Sequence, residues 1–294
     1  MIVVTAPTGH IGNQLLTHLL AADAAVRVIV RDRSKLPDDV RARVEVVEGS
    51  HADVATVERA FDGASRLFWL VPANPKAASV IEAYVDFSRP AAAVIKHSDI
   101  RRVVEVTALG RGTPLVADAG YVTGSLAMDD LIASTGVYQR ALAMPSFMDN
   151  LLMQLPALRE KGAFFLPIPG DLSLPSCSTG DIAAAAARWL LDDTWEGQQE
   201  VPVLGPENLS YKQMAQIMTE VLGRDIAYQQ IGFDAYKAQF LGFGFSEAMA
   251  EGMTAMARAK SEGLDLAVAR TPENSTPTSF RQWCETVLKP AFVG

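Results

Sequence analysis

Two glycines near the start of the chain have the spacing of a loop that binds phosphate. The apolar run 2–4 predicts a short strand, and the turn after it brings Gly9 and Gly12 to the start of a segment with helical spacing. The first N–H groups of a helix lack intrahelical partners and carry partial positive charge, so this arrangement forms an anion site. In a nucleotide-binding sheet the site receives a pyrophosphate. The turn therefore predicts a bound dinucleotide; a strand–turn–helix without a ligand is the alternative.

One residue of this turn departs from the usual fingerprint, because Ala6 takes the place of the first glycine. Alanine can be tolerated there if its φ angle stays below zero. Gly9 would let the backbone approach a phosphate, and Gly12 would let the helix pack on the strand. The predicted cofactor-binding residues of the loop are Thr5, Thr8, Gly9, His10, Ile11 and Gly12.

The residues after the second predicted strand decide which dinucleotide fits. NAD binders tend to place an acid there for the ribose 2′-hydroxyl, whereas NADP binders need a cation for the 2′-phosphate. The strand Val26–Val30 leads into Arg31, Asp32 and Arg33, with Lys35 beyond. A guanidinium suits phosphate, so Arg31 favours NADP(H), while Asp32 would favour NAD(H). The alternative is that these are solvated loop charges.

Strand and helix patterns alternate through the first half of the chain. The predicted strands are Ile2–Thr5, Val26–Val30, Val44–Val47, Leu67–Val71, Val103–Thr107 and Tyr138–Leu142. The predicted helices are Ile11–Leu20, Val54–Phe61 with Asp53 as its N-cap, Ala77–His97 and Leu126–Thr135. This alternation predicts an α/β fold with a doubly wound parallel sheet. Ligands of such sheets bind beyond the strand ends, which adds Val71, Pro72 and Thr107 to the candidate residues.

The second half combines proline-rich connectors with helices. The predicted elements are Ile182–Leu191 capped by Asp181, a strand Val201–Leu204, Tyr211–Leu222 capped by Ser210 and ended by Gly223, and a final helix that is capped by Thr278 and runs through Val287. We therefore expect a dinucleotide-binding domain over residues 1–150 and a smaller α/β domain over 151–294, with some later segments returning to the sheet.

Phenylalanine and methionine are concentrated in the predicted helix that starts at Ala235 and in the residues after it. The residues are Phe240, Phe243, Phe245, Met249, Met253 and Met256. Such side chains can adapt to flat aromatic ligands, but helical spacing favours a role in the core of the smaller domain.

Composition excludes several classes of protein. The net charge of −8 argues against nonspecific nucleic-acid binding, and no apolar run is long enough for a membrane span. The four histidines have no metal-ligand spacing. Cys177 and Cys284 lie far apart, and the N-terminus enters a strand without a secretory signal, so we expect a cytoplasmic protein.

The ordered segments TAPTGHIG, VRVIVRD, VEVVEGSHAD, LFWLVP, STGVYQRALAMPSFMDNLL and DIAAAAARWL resemble the NmrA-like branch of the atypical short-chain dehydrogenases. The resemblance covers nearly the whole chain. It implies a Rossmann domain followed by a small substrate-side domain. Members of the branch include NAD(P)H-dependent quinone, azo-dye and triphenylmethane reductases, and also nucleotide-sensing regulators without turnover.

The same resemblance implies roles for individual residues. It places the 2′-phosphate at Arg31, the adenine near Ser50, and the substrate cleft at Phe147 and Asn150. Short-chain dehydrogenases use Tyr-x-x-x-Lys, in which the lysine lowers the pKa of the tyrosine; here Tyr121 is present, but Ser125 stands at the lysine position. We expect the pKa of Tyr121 to lie near the free value of about 10. Tyr121, Ser125 and Thr107 are the candidate catalytic residues, with packing of Tyr121 in a loop as the alternative.

Two functions fit these observations. The first is an NADPH-dependent oxidoreductase that reduces a quinone-like or conjugated carbonyl compound; it could form a homodimer. The second is a protein that senses NADP(H) and passes the signal to a protein partner, which the missing lysine and Ala6 favour slightly. An epimerase or an imine or carbonyl reductase is a third possibility on the same fold.

Overall fold

The first unit of the fold is organised around a seven-stranded sheet. A computed structural model describes residues 1–294. The strands of the chain are β1 (Ile2–Val4), β2 (Val26–Val30), β3 (Glu45–Glu48), β4 (Arg66–Trp69), β5 (Arg102–Ala108), β6 (Tyr138–Met144), β7 (Ser146–Phe147), β8 (Ala163–Leu166), β9 (Leu174–Cys177), β10 (Gln198–Pro202), β11 (Asn208–Leu209) and β12 (Ala227–Gln230). The large sheet has the order β10-β6-β5-β4-β1-β2-β3, and the pairs among β1 to β5 are parallel. The predicted doubly wound α/β sheet is confirmed.

Helices connect the strands. They are α1 (His10–Ala21), α2 (Asp38–Arg41), α3 (Val54–Phe61), α4 (Phe87–Ile95), α5 (Tyr121–Ala133), α6 (Leu155–Lys161), α7 (Thr179–Leu191), α8 (Tyr211–Leu222), α9 (Phe233–Gly242), α10 (Glu247–Ser261), α11 (Phe280–Trp283) and α12 (Lys289–Val293). A π-helical segment, Glu82–Asp86, precedes α4, and another, Cys284–Leu288, joins α11 to α12. None of the helices is long and apolar enough to cross a membrane.

Two compact units interleave along the chain. The first contains Met1–Ala108, Gly124–Ala143 and Ile182–Val201, and the second contains Leu109–Thr123, Met144–Asp181 and Pro202–Gly294. A single boundary near residue 150 does not describe this arrangement. The segment 182–201 belongs to the first unit because β10 pairs beside β6 at the edge of the large sheet.

The core of the first unit explains why the strands are apolar on both faces. Side chains of α3, α4 and α5 pack on the sheet with Leu67 and Trp69 of β4, and both of these strand residues are fully buried. Parallel strands covered by helices need such continuous apolar runs. Polar groups are also buried there: Gln139 of β6 donates to the Glu105 carboxylate of β5 and to the Asp129 carbonyl of α5.

The second unit has its own small sheets and core. Its three-stranded sheet has the order β11-β9-β7, and its two-stranded sheet pairs β12 with β8 in parallel. The core includes Phe164, Met218, Phe280 and Trp283, all of them nearly inaccessible to solvent. The ring of Phe280 stacks on that of Trp283 with centroids 5.7 Å apart.

Several predicted helix boundaries differ from those of the structure. α5 begins at Tyr121 rather than Leu126, because Gly124 lets it pack closely: a Cβ there would lie 3.0 Å from both the Tyr84 ring and the Val80 carbonyl oxygen. The helix predicted over Ala77–His97 starts at Val80 and ends with α4 at Ile95. The helix predicted from Ala235 is two helices, since Gly244 adopts a φ of 82° between α9 and α10.

Two predicted N-caps are also wrong, because the two side chains bind each other. The carboxylate of Asp181 accepts hydrogen bonds from the backbone N–H and the hydroxyl of Thr278, at 3.1 and 2.9 Å. Ser178 instead accepts from the Asp181 N–H near the start of α7, and Ser279 caps α11. The predicted caps Asp53 and Ser210 are confirmed, and Gly223 ends α8 in the left-handed conformation.

Candidate functional site

The glycine turn lies between β1 and α1 in the first unit. The first intrahelical hydrogen bond of α1 runs from the Asn13 N–H to the Gly9 carbonyl, so the N–H groups of Ile11 and Gly12 precede the helical ladder. No side chain caps this end of the helix. The side chain of Ile11 is buried, whereas Thr8 and His10 are exposed. Ile11 can therefore offer a ligand only its backbone N–H, and the end of the helix suits an anion.

The close packing of this turn depends on Gly12. A Cβ at Gly12 would lie 2.1 Å from the Ala6 carbonyl oxygen, whereas one at Gly9 would lie 3.5 Å from the same atom. Gly12 is thus required by the protein itself. The protein alone has room for a methyl group at Gly9. The absence of a side chain at Gly9 therefore leaves space for a ligand to approach its backbone.

Ala6 does not meet the condition of a φ below zero, since its φ is +49°. The left-handed region is unfavourable for a residue with a Cβ by about 1–2 kcal/mol. The conformation brings the Ala6 carbonyl into a hydrogen bond with the Gly9 N–H at 3.2 Å, which closes the turn. The turn keeps the geometry that glycine allows even though alanine occupies the position.

Thr5 joins the ends of two neighbouring strands. Its hydroxyl accepts from the Leu70 N–H at 2.8 Å and lies 3.1 Å from the Phe68 carbonyl oxygen, and the side chain is fully buried. Thr5 lies between β1 and β4, which is the point where the strand order of the sheet reverses. Such a switch point is where ligands bind in these sheets. Thr5 fixes the two strand ends that flank it.

The cation predicted after β2 is exposed, and the neighbouring acid is engaged. The Arg31 guanidinium forms no hydrogen bond or salt bridge with the protein and is open to solvent. The Asp32 carboxylate accepts from the Ser34 N–H and hydroxyl at 2.9 and 2.6 Å, and these bonds hold its pKa below the usual range. Asp32 therefore stabilises the turn that begins at Arg33, and Arg31 is the group left open to a phosphate.

His51 was not among the predicted residues, although it lies beside them. Ser50 is half-buried and its hydroxyl accepts from the Ala52 N–H at 3.2 Å. The His51 ring packs edge-on against Trp69 and Phe87, with centroids 5.2 and 4.8 Å away, and its Nε2 atom has no hydrogen-bond partner. Burial lowers the pKa of His51 to about 4, with a smaller contribution from the nearby Arg31 charge. His51 is neutral at physiological pH.

The residues at the other strand ends differ in exposure. Val71 is buried in the core and Pro72 is exposed. Thr107 and Ser125 are both buried, and their hydroxyl oxygens lie 2.9 Å apart. The serine that replaces the expected lysine thus forms a hydroxyl pair with the end of β5, and it brings no charge.

Tyr121 opens helix α5, in a part of the chain that belongs to the second unit. The side chain is half-buried, and this burial raises the pKa of Tyr121 to about 12. The expectation of a pKa near the free value is wrong, because desolvation disfavours the phenolate and no lysine offsets it. The phenol keeps its proton at physiological pH, so it can donate a hydrogen bond or a proton.

A cavity of about 190 Å³ lies within the second unit. Phe147 and Asn150, both predicted as substrate residues, line it together with Phe240, Met253 and Met256. Phe243 stands at the cavity with 74% of its surface exposed. The Phe- and Met-rich segment therefore lines a cavity as well as contributing to the core, and flexible thioethers beside aromatic rings suit flat apolar ligands.

Some polar residues of the cavity gave no signal in the sequence. Tyr211 and Tyr236 line it, and both side chains are buried. Burial raises the pKa of Tyr236 to about 12 and raises that of Tyr211 further. Lys260 lines the cavity and forms a buried ion pair with Asp265. A lysine in an amphipathic helix normally indicates a solvated position, so sequence alone could not place it here.

Fold and loop together define a dinucleotide-binding protein of the α/β class. A family described as NAD(P)H-binding matches residues 7–193, and the chain belongs to this family. The match includes Gly9 and Gly12 of the turn, the segment around Arg31 and strands β2 to β6 of the large sheet.

Two relatives match over most of their length and are named as reductases. An NAD(P)H azoreductase of Xenophilus azovorans is 28% identical over 86% of this chain and 85% of its own. A (4-alkanoyl-5-oxo-2,5-dihydrofuran-3-yl)methyl phosphate reductase of Streptomyces griseus is 28% identical over 96% of both. An NADPH-dependent quinone oxidoreductase of Escherichia coli, solved with NADPH, superposes with a TM-score of 0.80 at 20% identity over 98% of this chain and 100% of its own.

Proposed function

We propose that the protein is an NADPH-dependent reductase that transfers a hydride to a quinone-like or conjugated carbonyl compound. The observation that carries the proposal is the apolar cavity lined by Phe147, Phe240 and Met253, in a chain whose other unit has the NAD(P)H-binding fold. A protein that only senses a nucleotide has no need of an acceptor cavity. Reductases among the relatives support turnover over sensing, and an assignment to the NmrA-like branch agrees with them.

The residues of the first unit fit the cofactor. The uncapped start of α1 and the space at Gly9 suit a pyrophosphate, and the exposed Arg31 suits a 2′-phosphate. Thr5, Thr8, His10, Gly12, Ser50, Val71 and Pro72 complete the proposed cofactor set. Bound NADPH would supply the hydride, which is cofactor chemistry.

The chain's own residues would orient the acceptor and supply a proton. Phe147 and the methionines would hold a flat ring system away from water, and Asn150 would offer its exposed amide, which has no hydrogen-bond partner in the protein. Tyr121 is the proposed proton donor, because its pKa of about 12 keeps the phenol protonated. Thr107 and Ser125 would act as positioning residues through their paired hydroxyls. Acceptors that are easily reduced need little acid assistance, so we expect modest dependence on Tyr121.

The test is NADPH oxidation by the purified protein against a panel of quinones, azo dyes and enones, with NADH in parallel. We expect acceptor-dependent oxidation that is faster with NADPH. The matched variants are Phe243→Ala, which removes a cavity residue, and Phe292→Ala, which alters an aromatic side chain that packs on the core of the second unit but does not line the cavity. We expect only the first to raise the KM for the acceptor.

A further inference from the structure

The cavity of the second unit contains a single charged lining residue, Lys260 on helix α10. The other polar residues that line it are neutral serines, amides and tyrosines, and the remainder are apolar. The Lys260 ammonium would therefore be the natural anchor for an anionic ligand if its charge were available. The groups around Lys260 decide whether its charge is available to a ligand.

The charge of Lys260 is compensated inside the protein. Its Nζ atom lies 2.5 Å from Oδ2 of Asp265, and the two side chains are only 7% and 1% exposed. Asp265 follows α10 in the short helical segment Leu264–Leu266, so the pair closes the turn at the end of that helix. A buried carboxylate at this distance cancels most of the field that the ammonium would project into the cavity.

The remaining lining groups do not restore a charge. Tyr211 and Tyr236 have pKa values raised by burial, so both are neutral phenols that can donate one hydrogen bond each. The nearby cation Lys237 does not line the cavity and is paired with Glu247 and Glu251 at 2.6 and 2.8 Å. An anion entering the cavity would lose its hydration and gain no unpaired cation, which is a large cost.

We propose that Asp265 is a specificity residue: by neutralising Lys260 it restricts the cavity to uncharged, flat, apolar molecules with hydrogen-bond acceptors such as carbonyl oxygens. The proposal rests on the proposed function in taking this cavity as the acceptor site. It goes further by stating that the acceptor is uncharged and that Asp265 is the residue responsible for this selectivity. Removal of the Asp265 carboxylate would leave the ammonium uncompensated, and the cavity would then accept sulfonated or carboxylated molecules.

A pair of fluorescent probes tests this without turnover. N-phenylnaphthylamine and anilinonaphthalene sulfonate share one ring system and differ by the sulfonate. We expect the wild-type protein to bind the neutral probe at least about tenfold more tightly. Phe243→Ala should weaken binding of the neutral probe, which locates it in the cavity. Equal affinity for both probes, or a preference for the sulfonate, would overturn the proposal.

Variants of the ion pair assign the selectivity to Asp265. Asp265→Asn should reduce the preference for the neutral probe by about tenfold, and the double variant Lys260→Met with Asp265→Asn should restore it. An unchanged preference in folded Asp265→Asn would overturn the proposal. If that variant does not fold, Met256→Lys places an unpaired cation in the same cavity while the ion pair stays intact, and it should favour the sulfonate.

The binding experiment separates this inference from the proposed function. A protein that oxidises no NADPH with any acceptor, yet selects the neutral probe through Asp265, would contradict the reductase proposal alone. A protein that reduces neutral and sulfonated quinones equally well would support the reductase and overturn the role of Asp265.

Discussion

Strain at a single residue marks the cofactor turn. Ala6 adopts a φ of +49° where glycine would be at ease, and its carbonyl closes the turn onto Gly9. The sequence could not reveal this, because the same residue type would fit an ordinary turn with φ below zero. In this conformation the Ala6 carbonyl oxygen lies where a Cβ at Gly12 would be, at 2.1 Å.

Replacing this alanine should stabilise the protein. We predict that Ala6→Gly raises the free energy of unfolding by about 1 kcal/mol, because glycine adopts the left-handed region without the clash. Urea denaturation measures the change. The matched control is Ala22→Gly, at an exposed position with a φ of −92°, where glycine should be neutral or destabilising. Equal effects at the two positions would show that Ala6 is not strained.

His51 should make stability depend on pH. Its pKa of about 4 in the folded protein lies below the ordinary histidine value of 6.5, so between these values the unfolded chain binds a proton that the folded protein does not. Stability should therefore fall as the pH drops from 6.5 to 4, by about 3 kcal/mol from this residue.

The variant His51→Phe keeps an aromatic ring against Trp69 and removes the titrating group. We expect its stability to fall less than that of the wild type over the same pH range, measured by denaturation at each pH. The control is the exposed His97→Phe, which should retain the wild-type dependence. If His51→Phe follows the wild-type curve, the imidazole is not the cause.

Arg31 should discriminate between the two nicotinamide cofactors. We predict that Arg31→Ala weakens NADPH binding by about tenfold or more and leaves NADH binding nearly unchanged, because only NADPH carries the 2′-phosphate. Titration calorimetry measures both. Arg41→Ala, which removes an arginine that is paired with Asp38, is the matched control. Equal losses for both cofactors would remove Arg31 from the phosphate site.

At the level of elements, two of the four predicted N-caps are confirmed and two are wrong. Asp53 and Ser210 cap their helices because each side chain reaches an N–H three residues later. Asp181 and Thr278 have the same local pattern, but they bind each other across 97 residues. Contacts between distant segments leave no periodic signal, and for the same reason the ion pair of Lys260 and Asp265 could not be predicted.

The junction between β1 and α1 gives a prediction at this scale. Gly12→Ala should destabilise the protein by about 2 kcal/mol or more, because its Cβ would lie 2.1 Å from the Ala6 carbonyl oxygen. Gly9→Ala should leave stability nearly unchanged and weaken NADPH binding, since its Cβ meets only an ordinary contact in the protein alone. Thermal denaturation and cofactor titration distinguish the two. Tight NADPH binding by Gly9→Ala would contradict the proposed role of the turn.

At the scale of the whole molecule, the two units have separable chemistry. The first unit has the sheet order, the glycine turn and the cation expected of an NAD(P)H-binding protein, and most of it could be predicted from the sequence. The second unit contains an apolar cavity whose residues come from β7 to β9, α8, α9 and α10. Only Phe147 and Asn150 of that cavity were predicted as substrate residues. The other lining residues are far apart in the sequence and come together only when the chain folds, so no local motif indicates them.

The most direct test of the account is the rate of NADPH oxidation by purified protein with an uncharged quinone, measured against the rate without the quinone and with NADH in place of NADPH. If the protein is an NADPH-dependent reductase, oxidation requires the quinone, saturates with increasing quinone concentration and is faster with NADPH than with NADH. Protein that binds NADPH but oxidises it no faster with any uncharged acceptor than without one would contradict the proposal that this chain is a reductase.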